Sequence, residues 1–140
     1  MVHDLPFCHR FRIRYAEVDS QKVVFNSRYL EYADIILTEY WRSCGVPLGG
    51  DPFFEAHVVQ ASVHYVKPLR FDDEIDGWIG VKRIGRSSLT TSIELHGVGS
   101  QDLRARMELV HVNVNLATGL PVEITAAIRK AFGLETQSAT

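Results

Sequence analysis

One acidic residue, Asp19, lies where a side chain could do chemistry. It follows an alternating stretch, 7–15, and precedes a stretch with helical spacing, 26–45, so it belongs to the connection between a strand and a helix. A carboxylate in such a connection can act as a general base or as a nucleophile in a hydrolysis. It can equally accept hydrogen bonds from backbone amides and only stabilise a turn. The residues alone leave both interpretations open.

The predicted start of the helix offers a second chemical group, the backbone N–H of Asn26. N–H groups in a first helical turn have no partner within the helix, and together with the helix dipole they stabilise negative charge on an oxygen. The side chain of Asn26 or Ser27 could instead cap the helix. The two roles of Asn26 are compatible because they use different atoms.

Three other polar residues could have either a chemical or a structural role. Asp34 lies two turns into the predicted helix. If it is buried it must be paired, and we expect such pairing, with orientation of a catalytic water or a substrate hydroxyl as the alternative. His57 and His64 lack metal-ligand spacing, so we expect packed or surface side chains and no metal or cofactor. The sequence has no Gly-x-Ser-x-Gly motif, which disfavours a serine hydrolase, and no glycine-rich phosphate loop.

Basic residues cluster at two predicted turns. Eleven of the 15 basic residues are arginines, whose guanidinium groups suit phosphate and carboxylate. One turn carries Lys67 and Arg70. A later hairpin combines basic and hydroxyl side chains, namely Lys82, Arg83, Arg86, Ser87 and Ser88. A small phosphorylated ligand and a solvated basic face are the two interpretations of this cluster.

The composition is that of an ordinary globular domain. Of 140 residues, 46% are hydrophobic and 23% are charged, which is enough for one core. The net charge of -2 argues against nucleic-acid binding driven by bulk charge. No apolar run is long enough for a membrane span, and the first residues lack the apolar core of a signal peptide, so we expect a cytoplasmic protein that does not associate with membranes. Cys8 and Cys44 are then expected to be reduced thiols.

Hydrophobic periodicity predicts the elements that position these groups. Apolar residues alternate with arginines over 7–15, which predicts a half-buried strand whose inward face includes Tyr15. Apolar residues then recur at helical spacing until Gly45 ends the helix. Ile35 and Trp41 widen the apolar face, so burial on more than one side is expected.

The second half of the sequence is dominated by strand patterns. Alternation over 59–116 predicts four strands, and Thr125 is expected to cap a short final helix. Apolar positions switch from odd to even near 109–110, which indicates a β-bulge or a strand buried on both faces. Short turns favour an antiparallel meander, so the sequence predicts an α+β fold in which a curved sheet of about five strands wraps one long helix. An uncovered sheet edge favours self-association.

The segment RYAEVDSQKVVFNSRYLEYAD (14–34) combines Arg, Tyr and Asp with a V-V-F-N turn and a Y-L-x-Y helix start. This pattern resembles the hotdog-fold acyl-CoA thioesterases of the 4-hydroxybenzoyl-CoA thioesterase type. Three further segments resemble the later strands, a hairpin and the closing helix of that family: 58–75, 82–90 and 119–132. The resemblance covers about residues 7–133 and implies that 1–140 form a single hotdog thioesterase domain.

The resemblance also implies a function and a site. The expected reaction is hydrolysis of a small aromatic or short- to medium-chain acyl-CoA, with Asp19 as general base or nucleophile and the N–H of Asn26 facing the thioester oxygen. Alternatives are an acyl-carrier protein as the thioester donor and a non-catalytic module that binds acyl thioesters. The expected assembly is a homodimer or homotetramer whose active site uses two chains. The resemblance places the basic hairpin where the family contacts the nucleotide and favours Arg86 and Ser88 there. Residue types add further candidates, and the full set of expected substrate contacts is Phe25, Tyr29, Lys67, Arg83, Arg86, Ser87 and Ser88.

Two positions depart from the family pattern. Lys22 stands where the family usually has glycine, and a changed turn is expected because lysine adopts a positive φ poorly. Ile36 and Leu37 replace an Ala-Arg pair that usually follows the acid at Asp34. The identity of the acyl group stays open, because the aromatic residues that would line its pocket could equally be core: Phe25, Tyr29, Phe53 and Phe54.

Overall fold

The computed structural model describes residues 4–49, 54–99 and 101–134, so the predicted pocket residue Phe53 lies outside the described residues. The elements follow in the predicted order of a strand, a long helix, four strands and a short helix. They are β1 (Phe7–Arg12), a 3-10 helix (Tyr15–Glu17), α1 (Arg28–Cys44), β2 (Ala56–Tyr65), β3 (Glu74–Ile84), β4 (Ser88–Gly97), β5 (Asp102–Asn113) and α2 (Ala126–Ala131).

The five strands form one antiparallel sheet in the order β1-β3-β4-β5-β2. The predicted meander is therefore correct only for β3 to β5. Strand β2 lies at the far edge beside β5, and β3 pairs with β1. The chain between β2 and β3 crosses the start of α1, where the N–H of Val24 donates to the carbonyl oxygen of Leu69 (2.8 Å). This crossing separates two strands that are consecutive in the sequence.

Helix α1 packs its apolar face against the sheet. Tyr29, Ala33, Ile36 and Tyr40 are buried at the predicted helical spacing. Ile35 is 42% exposed, so the expectation that it extends the buried face is wrong. Trp41 is buried as predicted. Its ring centroid lies 5.2 Å from that of Phe54 and 5.7 Å from that of His111.

The helix ends follow the predicted signals. Gly45 ends α1 in the left-handed conformation (φ 76°), and its N–H donates to the carbonyl oxygen of Arg42. The hydroxyl of Thr125 accepts a hydrogen bond from the N–H of Ile128 and caps α2. Both ends depend on local chemistry, a residue that tolerates positive φ and a side chain that accepts a backbone N–H.

Two details of the strands differ from the expectations. Strand β1 ends at Arg12, because the N–H of the next residue, Ile13, donates to the carbonyl oxygen of Asp73 instead of to β3. Tyr15 therefore does not continue the strand. It belongs to the 3-10 helix and is 75% exposed. The shift of apolar positions near 109–110 is not a bulge in β5. Strand β5 is buried on one face and half-buried on the other, which accounts for apolar residues at both odd and even positions. The bulge lies in the neighbouring strand β2, at Val59, opposite this part of β5.

Strand β2 is an unpaired edge within the described part of the chain, since its only partner there is β5. Most of its residues are exposed, and the apolar side chains of Val58 and Val59 are 55% and 60% exposed. Among the described residues, no helix is long and apolar enough to cross a membrane. Cys8 and Cys44 are free thiols.

Gly77 of β3 lets α1 approach the sheet closely, and this contact gives a test of the packing. A Cβ at this position would lie 2.7 Å from Cγ1 of Ile36 and closer still to its Cδ1. We expect Gly77→Ala to lower the free energy of unfolding by about 1 to 3 kcal/mol, because Ile36 is fully buried and has no free space to enter. In an Ile36→Ala background, which lacks both Cγ1 and Cδ1, the cost should be clearly smaller. Chemical denaturation of the four proteins measures this coupling, and additive effects would show that the two residues do not meet.

Candidate active site

Asp19 lies in a tight loop that joins the 3-10 helix to α1. Its N–H donates to the carbonyl oxygen of Val23 (2.9 Å), and its carbonyl oxygen accepts from the N–H of Lys22 (2.9 Å). Its Oδ1 accepts from the N–H of Gln21 (2.8 Å), so the turn-stabilising interpretation is correct for one oxygen. Within the described residues, Oδ2 accepts no hydrogen bond. The half-buried carboxylate therefore has one oxygen held in place and one open to a water or a substrate.

Lys22 keeps the left-handed conformation that a glycine would adopt. Its φ is 66°, so the expectation that the loss of glycine changes the turn is wrong. The hydrogen bonds on either side of it, between Asp19 and Val23 and between Lys22 and Asp19, hold the backbone in this conformation. A non-glycine residue in this region carries a strain of about 1 to 2 kcal/mol.

The start of α1, which follows this loop in the chain, has two backbone N–H groups without an acceptor among the described residues. Ser27 is the N-cap residue, and no side-chain cap hydrogen bond is present. The first N–H groups with acceptors are those of Arg28, which donates to Phe25, and Tyr29, which donates to Asn26. The N–H groups of Asn26 and Ser27 have no acceptor among the described residues. The helix start therefore has the free donors that the sequence predicts, and the Asn26 side chain does not cap it.

A cavity of 270 Å³ lies beside the helix start. Asn26 and two of the predicted contact residues, Tyr29 and Lys67, line it; its full lining is Val24, Asn26, Tyr29, Tyr65, Val66, Lys67 and Pro68. Phe25 precedes the helix and is 51% exposed. Phe54 does not line this cavity, because it is buried against Trp41 at the opposite end of α1.

Tyr65 is a cavity residue that the sequence analysis did not single out. Its hydroxyl donates to the carbonyl oxygen of Asn26 (3.1 Å), and its ring meets that of Tyr29 edge-on with centroids 4.8 Å apart. It therefore ties the end of β2 to the start of α1. Alternation marked Tyr65 only as a strand residue, and the contact depends on the position of β2, which the pattern does not reveal.

Lys67 at the cavity rim is already paired. Its Nζ lies 3.0 Å from Oδ1 of Asp102. Hydrogen bonds from Arg104 and Lys67 lower the pKa of Asp102 to about 2, so this carboxylate is ionised across the physiological range. Lys67 thus reaches the cavity as half of an ion pair, which weakens its attraction for a phosphate.

The predicted phosphate-binding hairpin lies at the other end of the molecule. The register pairs Ser88 with Val112 and Val112 with His57 at one end of the sheet, whereas Tyr65 pairs with Ala105 at the other. Strand β2 spans ten residues between these ends, a length of about 30 Å. Within one chain the structure therefore does not bring the hairpin residues to Asp19. They are Arg83, Arg86, Ser87 and Ser88.

The hairpin side chains themselves are accessible. The Arg86 side chain is 76% exposed, with its Nε 4.0 Å from a carboxylate oxygen of Glu123. Arg83 is also exposed, and Ser87 and Ser88 are half-buried. Lys82 instead forms an ion pair with Glu108 across the sheet (2.8 Å).

Asp34 and the two histidines do not form a site with Asp19. Asp34 is exposed, so the expected buried pairing is wrong; its charge is felt by the buried His111, whose pKa is lowered by burial and partly restored by Asp34. His57 and His64 are exposed on β2, in agreement with the surface interpretation. In the part of the chain that the structure describes, no group of three or more potential metal ligands occurs.

Comparison with known proteins places the chain in a family. The model of the thioesterase superfamily matches residues 21–103, a range that includes Asn26 and begins two residues after Asp19. A curated protein of Aquifex aeolicus (strain VF5), named "Putative esterase", is 31% identical over 90 residues, which cover 63% of this chain and 70% of that protein.

Solved structures with the same fold agree with this match. A hypothetical protein of Aquifex aeolicus is 26% identical, with a TM-score of 0.82 over 91% of this chain and 99% of that one. A protein of Pseudomonas aeruginosa strain PAO1 is also 26% identical, with a TM-score of 0.84 over 97% and 95% of the two chains. A 1,4-dihydroxy-2-naphthoyl-CoA thioesterase from Synechocystis is 18% identical, with a TM-score of 0.84 over 91% and 95%, a likeness of fold alone. The predicted hotdog fold is confirmed.

The strained residue of the Asp19 loop generates a prediction about stability. Lys22→Gly should raise the free energy of unfolding by about 0.5 to 1 kcal/mol, because relief of the strain outweighs the extra freedom of glycine in the unfolded chain. The matched control is Gln21→Gly, one residue earlier and without a positive φ, which should be destabilising. Urea denaturation distinguishes the two. Equal destabilisation by both variants would show that Lys22 is not strained.

Proposed function

Because the chain belongs to the thioesterase superfamily and is a thioester hydrolase, we propose that it hydrolyses an acyl-CoA to a free acid and CoA, with Asp19 as the attacking base or nucleophile. One observation carries the proposal. A single loop holds an open carboxylate oxygen at Asp19 and leads directly into a helix start with free N–H groups at Asn26 and Ser27. Thioester hydrolysis needs these two features, a base or nucleophile and donors for the carbonyl oxygen.

The mechanism follows from the placement of these groups. With the thioester oxygen at the N–H of Asn26, the positive end of the α1 dipole stabilises the negative charge that develops as the carbonyl carbon becomes tetrahedral. As a general base, Asp19 takes a proton from a water that attacks this carbon. The carbonyl then re-forms as the C–S bond breaks, and the departing CoA thiolate takes up the proton from Asp19, which leaves the free acid, CoA and an ionised carboxylate. As a nucleophile, Asp19 itself attacks, CoA thiolate leaves, and water cleaves the resulting anhydride. Both routes remain part of the proposal.

The cavity supports a small acyl group. Its volume of 270 Å³ and its two tyrosine rings, Tyr29 and Tyr65, suit a small aromatic ring or a short aliphatic chain. A 4-hydroxybenzoyl-type group is one member of this class. An acyl-carrier protein could deliver the same acyl group, and parallel assays with CoA and carrier-protein thioesters distinguish the two donors.

A non-catalytic acyl-binding module is the competing hypothesis, and the loop geometry speaks against it. The departure that was expected to change this loop is Lys22 in place of glycine. Because Lys22 adopts the left-handed conformation, Asp19 and Asn26 keep the loop that a glycine would give. A module that only binds acyl groups gains little from a carboxylate beside the thioester.

We also propose that two chains share each active site. Strand β2 has an open edge, and antiparallel pairing of two β2 strands about a two-fold axis would place Tyr65 of one chain near His57 of the other. The hairpin around Arg86 of one chain would then lie at the same end as Asp19 of its partner. Such a dimer, paired again into a tetramer in the reducing cytoplasm, brings together the residues that one chain holds about 30 Å apart.

The role of Asp19 is tested by removing its charge. Asp19→Asn keeps the shape of the side chain and its hydrogen bond to Gln21, so KM should change little while kcat falls by roughly 10² to 10⁴, the range for loss of a general base. Thiol release from a panel of benzoyl-type, short-chain and long-chain CoA thioesters measures both constants. The control is Glu39→Gln, which neutralises an acid of α1 that lies far from the Asp19 loop. Normal turnover by folded Asp19→Asn would move the chemistry elsewhere, with Asp34 the next residue to test.

The shared site is tested by complementation between two impaired variants. Arg86→Ala should raise KM for acyl-CoA, at a cost of about 1 to 3 kcal/mol of binding, because a remote contact acts equally on ground and transition states. A heterodimer of Asp19→Asn and Arg86→Ala, isolated with two affinity tags, would contain one site with both residues intact. We expect its activity at low substrate to approach half that of the wild type. Activity equal to the mean of the two parents, or a monomeric mass by light scattering, would contradict the shared site.

A further inference from the structure

Two residues ahead of Asp19, Glu17 forms a buried hydrogen-bond network that the proposed reaction does not use. Its side chain is only 5% exposed. Its Oε1 accepts from the backbone N–H of Arg14 (2.8 Å) and from the hydroxyl of Tyr32 (2.9 Å). Its Oε2 accepts from Nε of Arg14 (3.0 Å) and lies 2.9 Å from a second guanidinium nitrogen of that residue. In the sequence, Glu17 carries no signal that distinguishes it from other acidic residues of a loop.

This network removes Glu17 from the list of possible bases. Both of its oxygens are occupied by protein donors, so neither is available to a water or an acyl carbon. Burial tends to raise the pKa of Glu17, but the hydrogen bonds from Arg14 and Tyr32 outweigh it and lower the pKa below its ordinary value. Burial and the hydrogen bond to Glu17 raise the pKa of Tyr32, so the tyrosine keeps its proton and remains a donor.

The network connects the pieces that must be held relative to one another. Tyr32 belongs to the second turn of α1 and is 1% exposed, so its hydroxyl is a rigid anchor on the helix. The carbonyl oxygen of Glu17 accepts from the N–H of Phe25 (3.3 Å), and Val18 bridges to Val24. Glu17 thus fixes the entry and the exit of the Asp19 loop to the helix whose start offers the N–H of Asn26.

We propose that Glu17 and Tyr32 are positioning residues that hold the Asp19 carboxylate at a fixed place relative to the start of α1, and that this pair thereby sets the rate of the hydrolytic step. The inference rests on the proposed function of Asp19. A displacement of about 1 Å between reacting groups can lower a rate by about 10²-fold, so a rigid anchor of this kind acts on turnover and not only on stability.

The test is Tyr32→Phe, which removes one hydroxyl and leaves the ring in place. Its matched control is Tyr40→Phe, the same change on the same helix, at a buried tyrosine two turns beyond Tyr32 and farther from the loop. We expect kcat to fall about 10-fold in Tyr32→Phe with KM within twofold of the wild type, and to stay unchanged in Tyr40→Phe. Both variants should lose thermal stability, and assays are run well below both melting temperatures. Loss of stability with unchanged kcat in Tyr32→Phe would show a purely structural role and overturn the proposal.

A second measurement does not depend on turnover. The amide protons of Asp19 and Lys22, which are hydrogen-bonded within the loop, should exchange with solvent several-fold faster in Tyr32→Phe and at the wild-type rate in Tyr40→Phe. If Tyr32→Phe fails to fold, Glu17→Gln replaces it, because glutamine keeps the size of the side chain and weakens the grip of Arg14. Unchanged exchange in the loop would overturn the positioning role. If the wild-type protein releases no thiol and the loop amides of Tyr32→Phe still exchange faster, the positioning role is supported and the proposed hydrolysis is contradicted.

Discussion

Between β1 and α1 the chain must reverse direction in a short loop that carries the Asp19 carboxylate, and then begin a helix whose N–H groups at Asn26 and Ser27 have no acceptor among the described residues. The backbone pairing of Val18 with Val24 closes the loop, and a left-handed residue at Lys22 completes the turn. The helix then starts without a side-chain cap, which is unusual because capping a helix typically contributes about 1 kcal/mol. The missing cap costs stability, and under the proposed function those donors serve the carbonyl oxygen of the thioester instead.

The position of β2 follows from the same region. The chain that leaves β2 crosses the helix start at Leu69, and this crossing commits β3 to the side of β1 and leaves β2 at the open edge of the sheet. One consequence is the cavity, because the last residue of β2, Tyr65, closes it against Asn26 and Tyr29. Another is the exposed row of backbone groups and valines along β2. The feature that shapes the cavity therefore also creates the edge on which the proposed second chain would pair.

Features that depend on neighbours in the sequence could be predicted from it. Gly45 and Thr125 terminate and cap their helices as their residue types indicate, and the periodicity of α1 identifies its buried face. Features that depend on contacts between residues far apart in the sequence could not be predicted from it. Tyr15 continues the alternation of β1 in the sequence, yet it is exposed because the chain leaves the sheet at a hydrogen bond to Asp73, about 60 residues away. The order of the strands and the contact between Tyr65 and Asn26 are of the same kind.

The candidate site shows the same difference between features that the sequence predicts and features that depend on distant contacts. This difference also bears on how its two acids, Asp19 and Glu17, are used. Residue type, spacing and the family resemblance together single out Asp19 as a candidate, whereas the partners of Glu17 became visible only when Tyr32 was placed on the helix. Of these two acids, the fold buries Glu17 and pairs both of its oxygens, and it leaves Asp19 half-buried with one oxygen that accepts no hydrogen bond among the described residues. A buried carboxylate is stable only when its hydrogen bonds are satisfied, which makes it a good anchor and a poor base. Under the proposed function, the reactivity of Asp19 then arises from its fixed orientation and from the water that a bound acyl group displaces around it, and the buried neighbour supplies the rigidity that such orientation requires.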